Sequence, residues 1–463
     1  MSQLTRNNDL YQPLKGRPDS ESVSASGKAA VDETRQDDKA RGARPYYSAA
    51  LFAFFIFVLI NLIVAPLAPR TKRELTKSEI LTSHCEAMHQ GPWSWWIART
   101  VLSKRPADVA LMGDSQINAA VFQADAFASM RPRDCAADRE SLSLEQLLAA
   151  ATGRSNAVIN LAVGGAVASD QYMISKALFP RSTPKIVVVG VSPRCFIDDT
   201  LPSASATDPF QFFEPYVEMG SLAHLAFPNS FSELAWRFKS YVPMLALHDP
   251  VCGYLAVQAK LHQPNGKSMA LNALNDRAET QPRMLRGIYA SASDVKQSEI
   301  FVTPTIVQGF YDNTPEYQRR YRNLTPPAYK IQQKFFHAYL DNLSSLGIKT
   351  VVVGMPCTKL NRQLLPEQFW SEYRAWLTSE CSGHRAIWFD LSDDPAFPRK
   401  YFLDTVHVNA FGARVLVQKI AALLMTDPTL SRELKSSDAE MLSSRVKHPQ
   451  NSAHRVNEAR KPI

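Results

Sequence analysis

Short apolar runs alternate with helical patterns through the middle of the chain. The runs occupy residues 109–112, 157–166, 186–194, 350–356 and 387–390. The stretches between them space apolar side chains as an amphipathic helix does, for example at Ile117, Ala120 and Val121 after the first run. We therefore predict an α/β fold in which helices cover both faces of a doubly wound, mostly parallel sheet.

One long segment, residues 195–325, breaks this alternation. It is rich in Pro, Ser, Phe and Tyr, repeats no strand–helix unit and is too long for a simple connection. We predict that it is an inserted subdomain, mostly helical and irregular, placed over the strand ends. The main domain then extends from residue 105 to residue 427.

Both ends of the chain are polar. Residues 1–48 have few large apolar side chains, and residues 428–463 carry seven Lys or Arg against four Asp or Glu. Such segments cannot bury enough surface to offset the entropy of ordering the chain. We predict two disordered tails.

A run of about 20 residues without a charge, 49–68, follows the first tail. At a rise of about 1.5 Å per residue it matches a hydrocarbon core of roughly 30 Å. A buried core helix is the alternative, and a cleavable signal peptide would lie nearer the start of the chain. The charge-free length favours a single transmembrane helix, followed by a connector over residues 69–104.

The orientation of this helix is weakly marked, because four Lys or Arg precede it closely and four follow it. All six cysteines come after it, an even number that suits an oxidising compartment as disulfides or as buried thiols. A tryptophan cluster in the connector would lie at the lipid headgroups or cap the core of the next domain: Trp93, Trp95 and Trp96. We expect a single-pass protein of the inner (plasma) membrane with its main domain on the extracytoplasmic side.

The charge distribution and the cysteine spacing argue against a nucleic-acid-binding protein and against a zinc finger. The net charge of +8 is spread along the chain, without the basic run that nucleic-acid contact requires. No cysteines are paired at zinc-finger spacing. We expect no nucleic-acid partner, no metal and no cofactor.

The first apolar run ends in Gly113-Asp114-Ser115. These residue types are common in strand-to-helix turns, where Asp or Ser caps the helix. The same turn would also deliver Ser115 to the carboxyl edge of a parallel sheet, where open α/β folds place their chemistry.

A second candidate motif is Asp404-x-x-His407-x-Asn409, near the end of the main domain. Residues three apart lie on one face of a helical turn, so Asp404 could hold the tautomer of His407 while His407 takes a proton from a serine. The alternative is an ordinary surface turn. The two motifs in one α/β chain favour chemistry over coincidence.

Together these motifs resemble the SGNH (GDSL-like) hydrolase and acyltransferase superfamily, whose fold is a flavodoxin-like three-layer sandwich. They resemble more narrowly its membrane-anchored branch, which includes alginate-type O-acetylation proteins and D-alanyl-transfer proteins. The resemblance covers roughly residues 105–200 and 345–425. It implies that Ser115 is the nucleophile, that His407 and Asp404 complete the triad, and that Gly165 supplies a backbone oxyanion donor beside that of Ser115.

The chain departs from this family at its third motif. Classical members read Gly-x-Asn-Asp, whereas Ser192 stands here where the oxyanion-hole Asn is expected. Arg194 could substitute as a donor or serve as a structural ion-pair partner. Further polar residues near the motifs are candidate substrate or oxyanion contacts: Asp114, Asn160 and Asn409.

The resemblance implies an esterase or O-acyltransferase that acts on acyl esters of a cell-envelope polysaccharide. Its expected partners are the membrane, the acylated glycan and, for a transferase, a membrane protein that donates the acyl group. The alternative function is a catalytically inactive glycan-binding or scaffold subunit of a polysaccharide assembly.

Overall fold

The computed structural model describes residues 44–64, 75, 92–104, 106–135, 138–242, 301–306, 309–324 and 327–436. Its centre is a five-stranded sheet whose strands are all parallel. These strands are β1 (Val109–Met112), β3 (Val158–Asn160), β4 (Ile186–Val191), β6 (Lys349–Gly354) and β7 (Ile387–Asp390). Two further strands form a small antiparallel ribbon, β2 (Arg133–Asp134) and β5 (Phe301–Val302).

The sheet order is β3-β1-β4-β6-β7. Counted along the sheet strands alone, this is the doubly wound order 2-1-3-4-5, with its switch point between β1 and β4. Val109 of β1 pairs with Val158 on one side and with Ile186 on the other. The predicted α/β class and the parallel sheet are confirmed.

The described residues also form helices, with short 3-10 turns between some of them. In the first half they are α1 (Arg44–Val64), α2 (Pro92–Ser103), α3 (Ser115–Ser129), α4 (Leu142–Thr152), α5 (Ala168–Leu178), α6 (Arg194–Ile197), α7 (Asp208–Phe213), α8 (Ala223–Ala226) and α9 (Ser230–Tyr241). In the second half they are α10 (Thr314–Arg320), α11 (Pro327–Ser345), α12 (Lys359–Arg362), α13 (Glu367–Gly383), α14 (Ala410–Thr426) and α15 (Pro428–Lys435).

Two apolar clusters cover the two faces of the sheet, because successive side chains of a strand point to opposite sides. Val109 and Leu111 of β1 join the cluster that includes α3, α4 and α14. Ala110 and Met112 join the cluster that includes α5, α11 and α13. The result is a three-layer arrangement of helices, sheet and helices.

The folded part of the chain extends beyond the predicted main domain, residues 105–427, at both ends. The connector 69–104 ends in helix α2, whose Trp95 and Trp96 are buried in the core, so the tryptophans cap the domain. The tail predicted from residue 428 begins with helix α15, because Leu430 and Leu434 are buried against the second cluster. Residues 437–463 lie outside the described residues.

The inserted segment is helical where the structure describes it. Helix α7 lies against α5 and α2, and Phe210 and Phe213 are fully buried there, so this part packs into the cluster on one face of the sheet. Helix α10 does lie near the strand ends, as its contacts with the candidate site show below. Residues 243–300 lie outside the described residues.

Helix α1 begins at Arg44, within the segment predicted as a tail, and most of its described side chains are exposed. Phe52 and Leu62 are each 67% exposed. Among the described residues, no helix combines the length and the hydropathy that crossing a membrane requires. Residues 1–43 and 65–68 of the predicted tail and span lie outside the described residues.

Candidate active site

Ser115 lies at the carboxyl edge of the sheet, beside the switch point. Strand β1 ends at Met112, Gly113 and Asp114 form the turn, and Ser115 is the first residue of α3. Asp114 caps this helix, because its Oδ1 accepts a hydrogen bond from the N–H of Gln116 at 2.9 Å. Ser115 remains partly exposed.

The turn requires glycine at position 113. Its φ of +137° is a backbone conformation that residues with a side chain rarely adopt. A Cβ atom there would lie 2.6 Å from Cγ2 of Ile117 and 2.7 Å from the carbonyl oxygen of Gly190. The close contact of β1 with β4 therefore fixes where Ser115 is presented.

His407 and Asp404 meet Ser115 at this edge. His407 Nε2 lies 2.8 Å from Ser115 Oγ, and His407 Nδ1 lies 2.6 Å from Asp404 Oδ2. A carboxylate only accepts hydrogen bonds, so Nδ1 carries the proton and Nε2 is left to accept from the Ser115 hydroxyl. The three side chains predicted from sequence are brought together in the geometry of a serine-activating triad.

The loop that carries Asp404 and His407 is not the helical turn predicted from sequence. Asp404 Oδ1 instead accepts the backbone N–H groups of Val406 and His407, at 2.8 and 2.7 Å. The Leu403 N–H donates to the carbonyl of His407 at 2.7 Å and closes the loop. One carboxylate thus shapes the loop with one oxygen and holds the imidazole with the other.

Asp404 makes the His407 imidazole a stronger base than a free histidine. Burial lowers the pKa of His407, but the charge and hydrogen bond of Asp404 outweigh it, and the net pKa lies above the usual value. Burial raises the pKa of Asp404, and His407 with the two backbone donors brings it below the usual value. The pair is therefore suited to accept a proton from Ser115 and to stabilise the imidazolium that results.

Two backbone N–H groups near Ser115 are free to bind an oxyanion. Residues 163–166 form a tight turn in which the Ala166 N–H donates to the Val163 carbonyl, and Gly165 has a φ of +82°. Neither the Gly165 N–H nor that of Ser115 donates to another described residue. A Cβ at Gly164 would lie 4.0 Å from the Cβ of Ser115, so this turn borders the nucleophile.

Arg194 supports this turn from inside. Its guanidinium donates to the carbonyls of Gly165 at 3.0 Å and Ala166 at 3.3 Å, and it pairs with Asp198 at 3.1 Å. Of the two roles considered for Arg194, these contacts fit the structural ion-pair partner, because its described polar contacts are with these carbonyls and with carboxylates, Asp114 at 3.9 Å among them. It is a positioning residue.

Ser192 and Asp114 contact each other and not the triad. The Ser192 hydroxyl donates to Asp114 Oδ2 at 3.5 Å, and Asp114 is 1% exposed. Cys195 Sγ also lies 3.6 Å from the same oxygen. The structure thus does not bring the Ser192 hydroxyl or the Asp114 carboxylate into contact with the triad, and their roles as oxyanion donor and substrate contact stay predictions.

The two candidate asparagines are also structural. Asn409 is 1% exposed, caps α14 through the N–H groups of Phe411 and Gly412, and donates to the carbonyl of Lys400 at 2.8 Å. Asn160 is fully buried; it donates to Asn118 at 3.1 Å and accepts from the N–H of Ala162. Neither amide is available to a substrate.

Residues of the inserted segment complete the site, and the sequence pattern did not find them. Asn313 Oδ1 accepts the Thr405 N–H at 3.0 Å and so holds the loop before His407. Tyr317 of α10 is buried, and burial, followed by the nearby charge of Asp114, raises the pKa of its phenol. The sequence Asn313-Thr314-Pro315 predicts the start of a helix, but it does not reveal that Asn313 bonds to Thr405.

The fold and site define a parallel α/β protein with a Ser-His-Asp arrangement at its switch point. No known protein-family model matches the chain, and no curated protein is detectably similar to it. Four of the described cysteines are not part of a disulfide bond: Cys135, Cys195, Cys357 and Cys381.

Proposed function

We propose that the protein is an SGNH-type serine esterase or O-acyltransferase that acts on acyl esters of a cell-envelope polysaccharide. The single observation that carries the proposal is the chain of contacts from Asp404 through His407 to Ser115, at 2.6 and 2.8 Å. A surface turn would not align a carboxylate, an imidazole and a hydroxyl contributed by segments 292 residues apart.

The chemistry follows from the roles of these atoms. Ser115 Oγ attacks the ester carbonyl while His407 Nε2 takes the hydroxyl proton, and the carbonyl oxygen becomes an oxyanion facing the N–H groups of Ser115 and Gly165. When the intermediate collapses, His407 returns the proton to the leaving alcohol, and the acyl group stays on Ser115. A sugar hydroxyl or a water then attacks the acyl-enzyme, with His407 as base, and frees Ser115.

We extend the proposal to location. The apolar residues 49–68 anchor the chain once in the inner membrane, and the main domain faces the extracytoplasmic side, where the glycan lies. The charge-free sequence and the exposed apolar side chains of α1 support this assignment. A reporter enzyme that works only in the cytoplasm, fused after residue 80, should stay inactive; activity would contradict the orientation.

The test of the serine mechanism is covalent labelling. A fluorophosphonate probe should label the full-length protein in membranes, and the Ser115→Ala variant should not react. The matched control is Ser344→Ala, which removes an exposed serine hydroxyl from helix α11 and should label as the wild type does. Labelling that survives Ser115→Ala would contradict the proposal, and an unreactive wild type would favour the glycan-binding alternative.

A further inference from the structure

Four ionisable side chains form a second polar cluster on helices α11 and α13. His337 and Asp341 are one turn apart on α11, while Glu380 lies on α13 and His384 follows its last residue. These helices lead into β6 and β7, so the cluster lies toward the amino edge of the sheet, and the triad lies at the carboxyl edge.

Aromatic packing fixes the two helices beside this cluster. Phe336, the neighbour of His337, is fully buried, and its ring lies 5.8 Å from that of Trp376 on α13. Cys381, the neighbour of Glu380, is 1% exposed. A site built on packed helices is held more firmly than one on loops.

The distances within the cluster suit a ligand set. Glu380 Oε1 lies 2.6 Å from His337 Nδ1 and 3.5 Å from His384 Nδ1. Ligand atoms of His337, Glu380 and His384 all lie within 4.8 Å of one another. Asp341 adds a second carboxylate, 3.5 Å from His337 Nε2 and 3.1 Å from His384 Nε2.

The cluster has a deficit of positive charge. Each of the four ring nitrogens faces an oxygen within 3.5 Å, and His384 Nδ1 also lies 2.8 Å from the carbonyl of Glu380. Two neutral imidazoles have only two N–H groups, so two lone pairs would face oxygen. One divalent cation between the ring nitrogens and the carboxylates would remove this conflict, because the ring nitrogens that carry no proton would then face the ion.

We propose that His337, Glu380 and His384 bind a divalent zinc ion, with Asp341 as a fourth ligand or as the carboxylate that orients the imidazoles. Imidazole and carboxylate are zinc ligands, and one such ion balances the two carboxylate charges. His337 and Asp341 also line a cavity of about 630 Å³, together with Lys176, His224 and Lys334, so an ion has a route of entry.

The sequence expectation of no metal missed this site because its ligands come from segments 43 residues apart. The signal that could have found it is a pair of i, i+4 spacings, His337 with Asp341 and Glu380 with His384, one for each helix. Such spacing places two ligands on one helical face, and facing helices can build a site from two such pairs.

The test is isothermal titration calorimetry at neutral pH, in which zinc chloride is added to the untagged full-length protein and the affinity and number of bound ions are measured. We expect the His337→Gln and His384→Gln variants each to bind one zinc ion fewer, or to bind it more than about 10-fold more weakly. The Asp341→Asn variant should bind zinc about 10–100-fold more weakly. His224→Gln, which changes an exposed histidine of the same cavity outside the ligand set, should bind as the wild type does.

A second measurement separates ligand loss from unfolding. Cobalt(II) should give visible absorption bands of a low-symmetry site with the wild type and with His224→Gln. Those bands should disappear in His384→Gln protein that still reacts with the fluorophosphonate, and Asp341→Asn should need more cobalt to give them. Failure of the wild type to bind zinc, or equal zinc binding by the wild type and His384→Gln, would overturn the proposal.

Discussion

The guanidinium of Arg194 donates to the carbonyl oxygen of Gly165 at 3.0 Å. This bond ties the turn at residues 163–166 to a buried side chain, while the Gly165 N–H itself donates to no described residue. Arg194 is 5% exposed and cannot reach solvent as a substrate contact would. In the proposed mechanism Arg194 therefore acts by positioning the turn, and the oxyanion donors are the backbone N–H groups of Ser115 and Gly165.

Ser192→Ala is expected to keep activity toward a small acetyl ester within a few-fold of wild type. The Ser192 hydroxyl donates to Asp114, and the oxyanion donors proposed here are backbone groups. The measurement is kcat/KM, with Ser344→Ala as the comparison. A loss on the order of 10²-fold would instead assign Ser192 the role of an oxyanion donor.

Ser115→Ala and His407→Ala should each remove nearly all turnover of the acetyl ester. The double variant should be little worse than either, because the residues of a triad act as a unit. His224→Ala, an exposed histidine outside the site, should leave turnover unchanged. Additive losses in the double variant would mean that the two side chains act independently.

Asp404→Asn should cost less than either of these changes, about 10²–10⁴-fold, because Asp404 orients the imidazole without bonding to the acyl group. The carboxylate also raises the pKa of His407, so its removal should move the acidic limb of the pH profile of kcat/KM to lower pH. In the wild type that limb should lie above 6.5. An unshifted limb would contradict the proposed coupling.

Gly113→Ala should destabilise the protein by more than about 3 kcal/mol, because the new Cβ would overlap Ile117 and the backbone of Gly190 in a strained conformation. Gly153→Ala is the matched control. Gly153 also has a positive φ, but nothing lies within 4 Å of its would-be Cβ, so only about 1–2 kcal/mol is expected. Urea unfolding of both variants checks the difference, and equal losses would contradict the packing argument.

Asp170 should make stability fall as the pH rises. Burial raises its pKa from 3.8 to about 7, despite hydrogen bonds from Thr207 Oγ1 at 2.5 Å and the Val167 N–H at 2.8 Å. Between these two pH values the folded state binds a proton that the unfolded state has lost, and stability falls about 1.4 kcal/mol per pH unit. Below 3.8 and above 7 this contribution is constant.

Asp170→Asn removes that titration and can keep both hydrogen bonds, by accepting from Val167 and donating to Thr207. Its free energy of unfolding should rise relative to wild type by about 2–3 kcal/mol between pH 5 and pH 7. Urea unfolding of both proteins at the two pH values gives the comparison. A difference that does not change with pH would mean that Asp170 is ionised in the folded state at pH 5.

The sheet was predictable because four of its five strands are buried almost throughout and read as apolar runs, as β4 and β6 do at Ile186–Val191 and Lys349–Gly354. The position of Ser115 followed from the same pattern, since parallel strands present their carboxyl ends at one edge. His407 and Asp404 were predicted because an aspartate and a histidine three residues apart can act together, the carboxylate holding the imidazole that serves as a base.

The roles of the other polar residues were not predictable, because an isolated Asn or Arg in the sequence does not reveal which way it faces. Asn409 caps a helix, and the Arg194 guanidinium donates hydrogen bonds to two backbone carbonyls. Both are residue types that would also suit a substrate contact. The shape of the Asp404 loop was also hidden, because a three-residue spacing fits an Asx-type turn as well as a helix. Helix α15 was missed since only Leu430 and Leu434 mark its apolar face.

The distance of 292 positions between Ser115 and His407 along the chain also determines when the site can exist. Strands β1, β3 and β4 can pair early during synthesis, but the imidazole arrives after every strand of the sheet has been made. Contacts of such high contact order form late, because loop closure must precede them. A nascent or truncated chain therefore presents the serine without its base, and reactivity at Ser115 reports that the chain has been completed and folded.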